Sequence, residues 1–418
     1  MDKDTKKSAF RECLEPIFVS SFQKLLKTWD IDKYVKKLFA NNFILLMLYA
    51  QIDCLDSLRH TSQILKDSEK LQELIGITSI SASQLSRKLR EMSTEVLEKL
   101  FTELVKELEA TIGHKAMSHR LKRIFLVDAS VISFCLSNHL WATYRKTKAG
   151  VKLHLKLAFY PEVGVYPYTA IITTAKGNDR TQMDNLVVEE SGDALYVFDR
   201  GYIDYEKFDS YCDNNNQIRF VSRLKSNAVK ELILEQKILV DNEWALERIV
   251  RLGTPGVNQM KHPLRLIETR DTQGNAVTIV TNDFELTAQE ISDIYRNRWA
   301  IELFFKWVKQ HLKVKKFYGN SENAVKNQIW LALISFCLMT LLQSKVKFSG
   351  ELLSLQRLLQ SCGYDSLELF LDKLFRPPAR KSNGGRRKNT WEQEFWRLNE
   401  ETLLYGTSIL DEMTLDLI

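Results

Sequence analysis

The chain has 418 residues, 44% of them hydrophobic and 10% aromatic, which is enough length and apolar material for several folded domains and argues against a disordered or low-complexity protein. Its 59 Lys and Arg against 53 Asp and Glu give a formal charge of +6, so any affinity for a polyanion has to come from clustering of charge rather than from the total. The six cysteines are scattered without a Cys-x-x-Cys pair and indicate neither a zinc site nor a disulfide framework; together with charged first residues and no apolar leader they fit a reducing cytoplasm.

Residues 1 to about 115 carry helical periodicity and almost no glycine or proline, and read as a helical domain. Within it, Ser81 to Arg90 forms a candidate DNA-recognition helix. Leu85, Leu89 and Met92 would face inward, leaving Gln84, Arg87, Lys88 and Arg90 for bases or phosphates. A preceding helix ending near Gly76 would complete a helix-turn-helix, although an ordinary amphipathic surface helix suits the same residues.

From about 120 to 217 the pattern changes to strands and turns. The apolar run Ile124 to Val127 leads into Asp128, and Leu195 to Phe198 leads into Asp199-Arg200-Gly201-Tyr202. Short β-prone runs of this kind read as buried strands, and an aspartate past the end of one faces the functional edge of a sheet. Period two in Val151 to Leu157 sets Lys152, His154 and Lys156 on one strand face, with His154 read as an exposed strand residue, and Tyr168 to Thr174 reads as a further strand. The stretch between Asp199 and Glu302 is much longer than a small mixed sheet needs, so an insertion is expected. Its β-prone runs are Ile218 to Arg223, Ile233 to Val240, Pro263 to Glu268 and Val277 to Thr281.

Thr287 and Glu290 have the spacing of a capping box, with Leu286 and Ile291 at staple positions. The helix that follows is read as continuous through Lys313. At about 100° per residue, Tyr295, Arg298, Glu302, Lys306, Lys309 and Lys313 then share roughly a quarter of its circumference. Ile301, Phe304, Trp307, Val308 and Leu312 lie opposite and would be buried. Alone, this is either a solvated face with a Glu302/Lys306 pair or one carboxylate set among cations for phosphate chemistry. Asp128 and Asp199 favour the second, because three carboxylates can hold two hard divalent cations for in-line phosphoryl transfer. Positive charge also clusters at Arg145, Lys146, Lys148, Lys152 and Lys156, at the exit of this helix through Lys315 and Lys316, and at Arg376, Arg380, Lys381, Arg386, Arg387 and Lys388. The apolar run Ile329 to Leu342 is too short for an ordinary membrane span and reads as a buried helix, so no membrane partner is expected. The remainder reads as helical with a basic linker and an aromatic stripe of Trp391, Phe395, Trp396 and Leu398.

These motifs resemble the DDE-type bacterial insertion-sequence transposases of the insertion-sequence-four family. Tyr295, Arg298, Glu302 and Lys309 match its Tyr-Arg-Glu-Lys signature with two, three and six residues between them; the Asp199 to Tyr202 tract and the Leu-Val-Asp-Ala-Ser tract holding Asp128 match as well. The resemblance implies a mixed α/β fold with a ribonuclease H-like catalytic core interrupted by a β-strand insertion, flanked by helical N-terminal and C-terminal regions. The boundaries expected are 1–117 for the DNA-binding domain, 118–217 and 287–346 for the two parts of the core, 218–286 for the insertion and 347–418 for the C-terminal region.

The resemblance further implies Asp128, Asp199 and Glu302 as catalytic metal ligands for two ions, Mg2+ with Mn2+ able to substitute. Asp128 would be the bridging ligand. Tyr295, Arg298, Lys306 and Lys309 would contact double-stranded DNA, as would Arg87 and Lys88 in end recognition. An insertion-domain aromatic stacks on a flipped base in some relatives, a role open to Trp244, which is equally suited to be a packed or hairpin residue. Cut-and-paste transposition by a homodimer in the synaptic complex, in the bacterial cytoplasm at the nucleoid, is the implied activity. The family often has a histidine at the position of Asn178, so no catalytic role is assigned there. Two other readings share these motifs: an inactive copy that only binds DNA as a repressor or structural protein, and a structure-selective nuclease.

Overall fold

The computed structural model describes residues 7–376 except 19, 30, 113–122, 161–163, 189–193, 214–217, 242, 271–275 and 313–315. The basic stretch from Arg380 to Lys388, the stripe Trp391 to Leu398, and Lys313 and Lys315 of the helix exit lie outside the described residues, as do the turn positions 161–163 and 273–275. By compactness the chain divides into two units. One comprises Met1–Asp204, Tyr211–Phe220 and Arg296–Phe375; the other comprises Tyr205–Ser210, Val221–Tyr295 and the segment from Arg376.

The first unit begins with seven helices: α1 (Ala9–Cys13), α2 (Ser20–Thr28), α3 (Ala40–Ile52), α4 (Leu58–Asp67), α5 (Glu69–Ile75), α6 (Ala82–Glu91) and α7 (Thr94–Ile112). Helix α5 ends at Gly76, whose φ of 82° is the left-handed cap that a residue without Cβ adopts freely. Helix α6 opens with a capping box in which Ser81 and Gln84 exchange side-chain and backbone hydrogen bonds. Gln84, offered for bases or phosphates, thus has its side-chain oxygen engaged in capping.

The strands follow as β1 (Arg123–Phe134), β2 (Thr143–Arg145), β3 (Lys148–Tyr160), β4 (Gly164–Thr174) and, after the short α8 (Met183–Leu186), β5 (Ala194–Phe198). Their spatial order is β4-β3-β1-β5, with β2 pairing the start of β3 and with β6 (Arg219–Arg223) next to β5; the helix α9 (Tyr205–Cys212) lies between β5 and β6 in sequence. β3 is antiparallel to both β1 and β4, whereas β5 runs parallel to β1. Three antiparallel strands followed by a parallel one is the ribonuclease H-like arrangement. All five residues of β5 are buried, as expected of a parallel strand covered on both faces.

Asp128 falls within β1 rather than past its end, because pairing with β3 extends the strand to Phe134. His154, read as exposed, also differs from expectation, and Lys156 on the same face is buried with it. His154 is 1% and Lys156 2% exposed. The Lys156 ammonium lies 4.9 Å from the Phe125 ring and 4.8 Å from the Tyr168 ring, a cation-π cage that offsets the loss of water.

Helix α12 (Glu322–Lys345) runs through the centre of this unit. It is long and apolar enough to cross a membrane, yet 94% of its apolar window is buried, which makes it a core helix. α3, α6 and α7 pack on it, Phe101 of α7 meeting Trp330 at 5.3 Å. Helices α13 (Leu352–Cys362) and α14 (Leu367–Leu374) complete the described part of the unit.

The second unit holds the insertion. Val221 to Arg223 of β6 pair with β10 (Ala276–Thr281), and the order continues through β9 (Leu264–Arg270) and β8 (Glu243–Leu252) to the edge strand β7 (Lys230–Val240). The expected strands are present, and β8 is an additional one. Its charged residues are tied to neighbours: Arg248 to Glu235 and Glu268, and Glu247 to Arg265, whose guanidinium also donates to the carbonyls of Asp283 and Leu286. At the end of β8, Gly253 has φ +98° and the Asn258 carbonyl pressed against the place a Cβ would occupy, so the turn requires glycine. Trp244 is 75% exposed on the β7–β8 hairpin, opposite Leu239, and is not a core residue.

The segment from Thr287 onward contains two helices rather than one: α10 (Ala288–Arg296) in the second unit and α11 (Trp299–His311) in the first. The change comes at Asn297 and Arg298, whose carbonyls accept from the amides of Ala300 and Ile301, three residues on.

Candidate active site

Two adjacent strands bring the first two carboxylates together. The parallel register pairs Val127 with Phe198, so Asp128 and Asp199 are the next step on neighbouring strands, which lie about 4.8 Å apart. Asp128 is held in part by accepting a hydrogen bond from the Ala129 amide at 2.8 Å.

Helix α11 supplies the third. Its apolar face buries Ile301, Phe304 and Val308, with Phe304 stacking edge-on to Phe336 of α12 at 4.8 Å, and this turns Glu302 and Lys309 toward the sheet. Arg298 Nη2 donates to Glu302 Oε1 at 2.7 Å, and its Nη1 is 4.0 Å from Asp128 Oδ2. Two turns further on, Lys309 Nζ donates to Ser130 Oγ at 2.7 Å. Residues seven apart on a helix are separated by about 10 Å along its axis, and Asp128 and Ser130 share one face of β1. The helix is therefore fixed to the strand at both ends of the motif. Lys306 lies between these contacts, half-buried. Tyr295 is 8% exposed and belongs to α10 in the other unit.

Electrostatics mark this cluster. Burial pushes the Asp128 carboxyl up to about 7, opposed by Arg298 and reinforced by Asp199 and Glu302. Glu302 is raised by burial in the same way, against the pull of Arg298. Several carboxylates thus share little water, with the Arg298 guanidinium between Asp128 and Glu302.

Tyr202, the last residue of the Asp-Arg-Gly-Tyr tract, is 2% exposed, and its hydroxyl has no hydrogen-bond partner among the described residues. It is close enough to Asp128, Asp179 and Asp199 for their charges to add to the effect of burial on its ionisation. Asp179 takes Lys152 Nζ at 2.7 Å and stands 4.0 Å from the His154 ring, while His154 Nε2 meets Thr173 Oγ1 at 2.9 Å. Asn178 caps its own turn by accepting from the Arg180 amide. Tyr202, Ser130 and Asp179 were not singled out from the sequence, although Ser130 and Tyr202 lie in the tracts that hold Asp128 and Asp199.

Among the described residues, no three His, Cys, Asp or Glu side chains close on a single point as a finished metal cage. The chemistry of the site nevertheless suits a hard cation. Its donors are carboxylate oxygens short of positive charge, and the orphaned Tyr202 hydroxyl beside them leaves a donor for a water or oxyanion.

Of the two α6 residues expected to take part in end recognition, Arg87 is exposed. Lys88 is not available in the same way: it pairs with Asp32 at 3.1 Å and its side chain is 14% exposed.

A ribonuclease H-like sheet with adjacent carboxylates on its central strands, and a third brought by a helix, defines a metal-dependent polynucleotidyl transferase. Residues 119–338 match the family described as the transposase DDE domain, and the chain belongs to that family. Residues 5–78 match a second family, described as a domain of unknown function, DUF4372. The chain is 29% identical to the probable transposase for insertion sequence element IS5377 of Geobacillus stearothermophilus, over 66% of this chain and 70% of that one. It is 31% identical to the putative transposase y4zB of Sinorhizobium fredii, over 57% of this chain and 65% of that one. A putative transposase for insertion sequence element IS4SA of Synechocystis is 23% identical over 68% of this chain and 78% of the relative. Among solved structures, the piggyBac transposase in a synaptic complex with hairpin DNA is similar with a TM-score of 0.44 and 11% identity, over 95% of this chain and 86% of that one. The chain is a transposase, and enzymes of its family bind and cleave DNA with the help of divalent metal ions.

Proposed function

We propose that this transposase acts on the ends of a bacterial insertion sequence of the insertion-sequence-four type, cutting them out and joining them to target DNA with Asp128, Asp199 and Glu302 as the metal-binding carboxylates. The observation that carries the assignment is Arg298, which links Glu302 on α11 to Asp128 on β1 beside Asp199. Bound Mg2+ would activate the attacking oxygen and stabilise the leaving one. Asp128, Asp199 and Glu302 would hold the ions, with Asp128 in the shared position that the family resemblance gives to the first aspartate. Arg298 would then turn its charge to the phosphates of the cut strand, and Lys309 and Lys306 line the same helix for that purpose. In this reading Tyr295 donates a hydrogen bond to a phosphate, Arg87 contacts the transposon end, Trp244 offers an exposed ring for stacking on an unpaired base, and Lys88 supports α6 through Asp32.

Two copies of the chain would hold two ends in a synaptic complex in the bacterial cytoplasm. The test is cleavage of donor DNA carrying the terminal inverted repeats, with Mg2+ and with Mn2+. Wild type should cut in both, and Asp128→Ala, Asp199→Ala and Glu302→Ala should each lose cutting while still binding the ends. Cutting by any of the three at the wild-type rate would remove that residue from the site. Binding without cutting by the wild type would leave the chain a DNA-binding protein only.

A further inference from the structure

A second concave site lies away from the carboxylates, within the first unit. It is a cavity of about 700 Å³ lined by residues of three segments: Asp56 to Arg59 at the start of α4, Ala82 to Arg90 along α6, and Lys316 to Tyr318 after α11. Among the described residues, four cations line it, Arg59, Arg87, Arg90 and Lys316, against the single carboxylate of Asp56. Arg59, Arg87 and Lys316 are exposed and have no ion-pair partner among the described residues, while Arg90 has only a loose pair with its neighbour Glu91 at 3.7 Å.

The backbone adds to this charge. Leu58 and Arg59 open α4, and Ala82 and Ser83 open α6; all four line the cavity. Their amides are among those a helix leaves without an internal acceptor, so the cavity is bordered by two helix N-termini, the positive ends of their dipoles. Neither helix has an acidic residue in its first turn. Arg59 instead places a cation in the first turn of α4, the unfavourable end for it. This arrangement leaves an excess of positive charge that a bound anion would neutralise. The walls are fixed: Tyr318 donates to the Leu55 carbonyl at 2.7 Å, and Asn327 of α12 donates to the carbonyls of Leu89 and Met92 at 2.9 Å.

We infer that this cavity is a phosphate-binding groove for the backbone of duplex DNA, with Arg59, Arg87, Arg90 and Lys316 clamping successive phosphates independently of sequence. The inference rests on the reading of the chain as a DNA-acting enzyme, and it differs from a helix-turn-helix reading in its mode of contact. Gln84 Oε1 is taken by the capping box and Lys88 by Asp32, and the α6 residues that line the cavity, Ala82, Ser83, Ser86, Arg87 and Arg90, include two arginines suited to phosphates. It also places DNA contact on residues of the N-terminal helices and of the segment that leaves α11 together.

The test uses the full chain in chelator, so that binding is read without cleavage. Anisotropy is measured on a transposon-end duplex and on a random duplex of equal length, across a salt series. Arg59→Ala with Arg87→Ala should lower affinity for both duplexes by the same factor, about tenfold or more, and reduce the salt slope by about one for each phosphate no longer neutralised. Lys316→Ala, a single change in a loop, should act in the same direction to the extent of one phosphate, and a Lys99→Ala control on the exposed face of α7 should do neither. Equal affinities and slopes for wild type and both groove variants overturn the inference while leaving the transposase reading intact. A loss confined to the end duplex overturns it in favour of base readout. If the wild type binds neither duplex, the reading on which the inference rests fails first.

Discussion

Burial keeps the Asp128 carboxyl protonated up to about 7. An unfolded aspartate ionises at about 4, so between these values the folded chain holds one proton more than the unfolded chain, and stability falls as pH rises through that window. In chelator, Asp128→Asn should therefore melt higher than wild type at pH 8, by about 1 °C for each kcal/mol recovered in a chain of this length. The gap should close as pH falls toward 4; a gap independent of pH would show that the carboxyl is not the cause. With Asp128 as the proposed metal ligand, the same proton would compete with the ion, so apparent Mg2+ affinity measured by calorimetry should drop below about pH 7. His154 has the opposite sign. Burial lowers it to about 4, with Asp179 opposing and Lys152 assisting. An unfolded histidine titrates at about 6.5, so its contribution is present above that value and is lost as pH falls toward 4. His154→Gln should flatten the melting temperature across that interval; an unchanged acid loss would assign it to other groups.

At the level of elements, the strand runs ending near Asp128 and Asp199 and the apolar face of α11 were legible, because periodicity and the fixed spacing of Arg298, Glu302 and Lys309 are local properties. The capping box at Thr287 was legible for the same reason, and both of its bonds are formed, the Thr287 amide to Glu290 Oε2 at 2.8 Å and the Glu290 amide to Thr287 Oγ1 at 3.2 Å. Thr287→Ala should destabilise the chain by about 1 kcal/mol, read as a shift of the denaturation midpoint; no shift would show that α10 is held by packing alone. The break at Asn297 was hidden, since no proline or glycine marks it and the apolar period fits a continuous helix equally well. The angular row drawn from Tyr295 consequently holds only from Arg298 to Lys309, since α11 ends at His311 and Lys313 lies outside the described residues. β8 was hidden because Glu243, Glu247, Arg248 and Arg251 mask its apolar alternation, and their partners on β7 and β9 lie too far away in sequence to be foreseen. Tyr202 and Ser130 belong to the same class: a hydroxyl among carboxylates, or beneath Lys309, is a property of the assembled sheet and helix.

On the scale of the molecule, α12 joins the N-terminal helices to the ribonuclease H-like core. Asn327 is fully buried near one end of it, bonded to the carbonyls of Leu89 and Met92 where α6 ends. Phe336, some two and a half turns on, meets Phe304 of α11. The proposed DNA groove and the helix that carries Glu302 thus both rest on α12, while α11 keeps its own tie to β1 through Lys309 and Ser130. Asn327→Leu would leave two buried carbonyls unpaired, at about 1–3 kcal/mol apiece, and the loss falls on α6 rather than on α11. DNA affinity should therefore decrease several-fold while the cleavage rate at saturating DNA stays near that of wild type. A proportional fall in both would show that α12 transmits the disturbance to the carboxylates; a change in neither would show that α6 is positioned by its apolar contacts, Leu85 and Leu89, without the Asn327 amide.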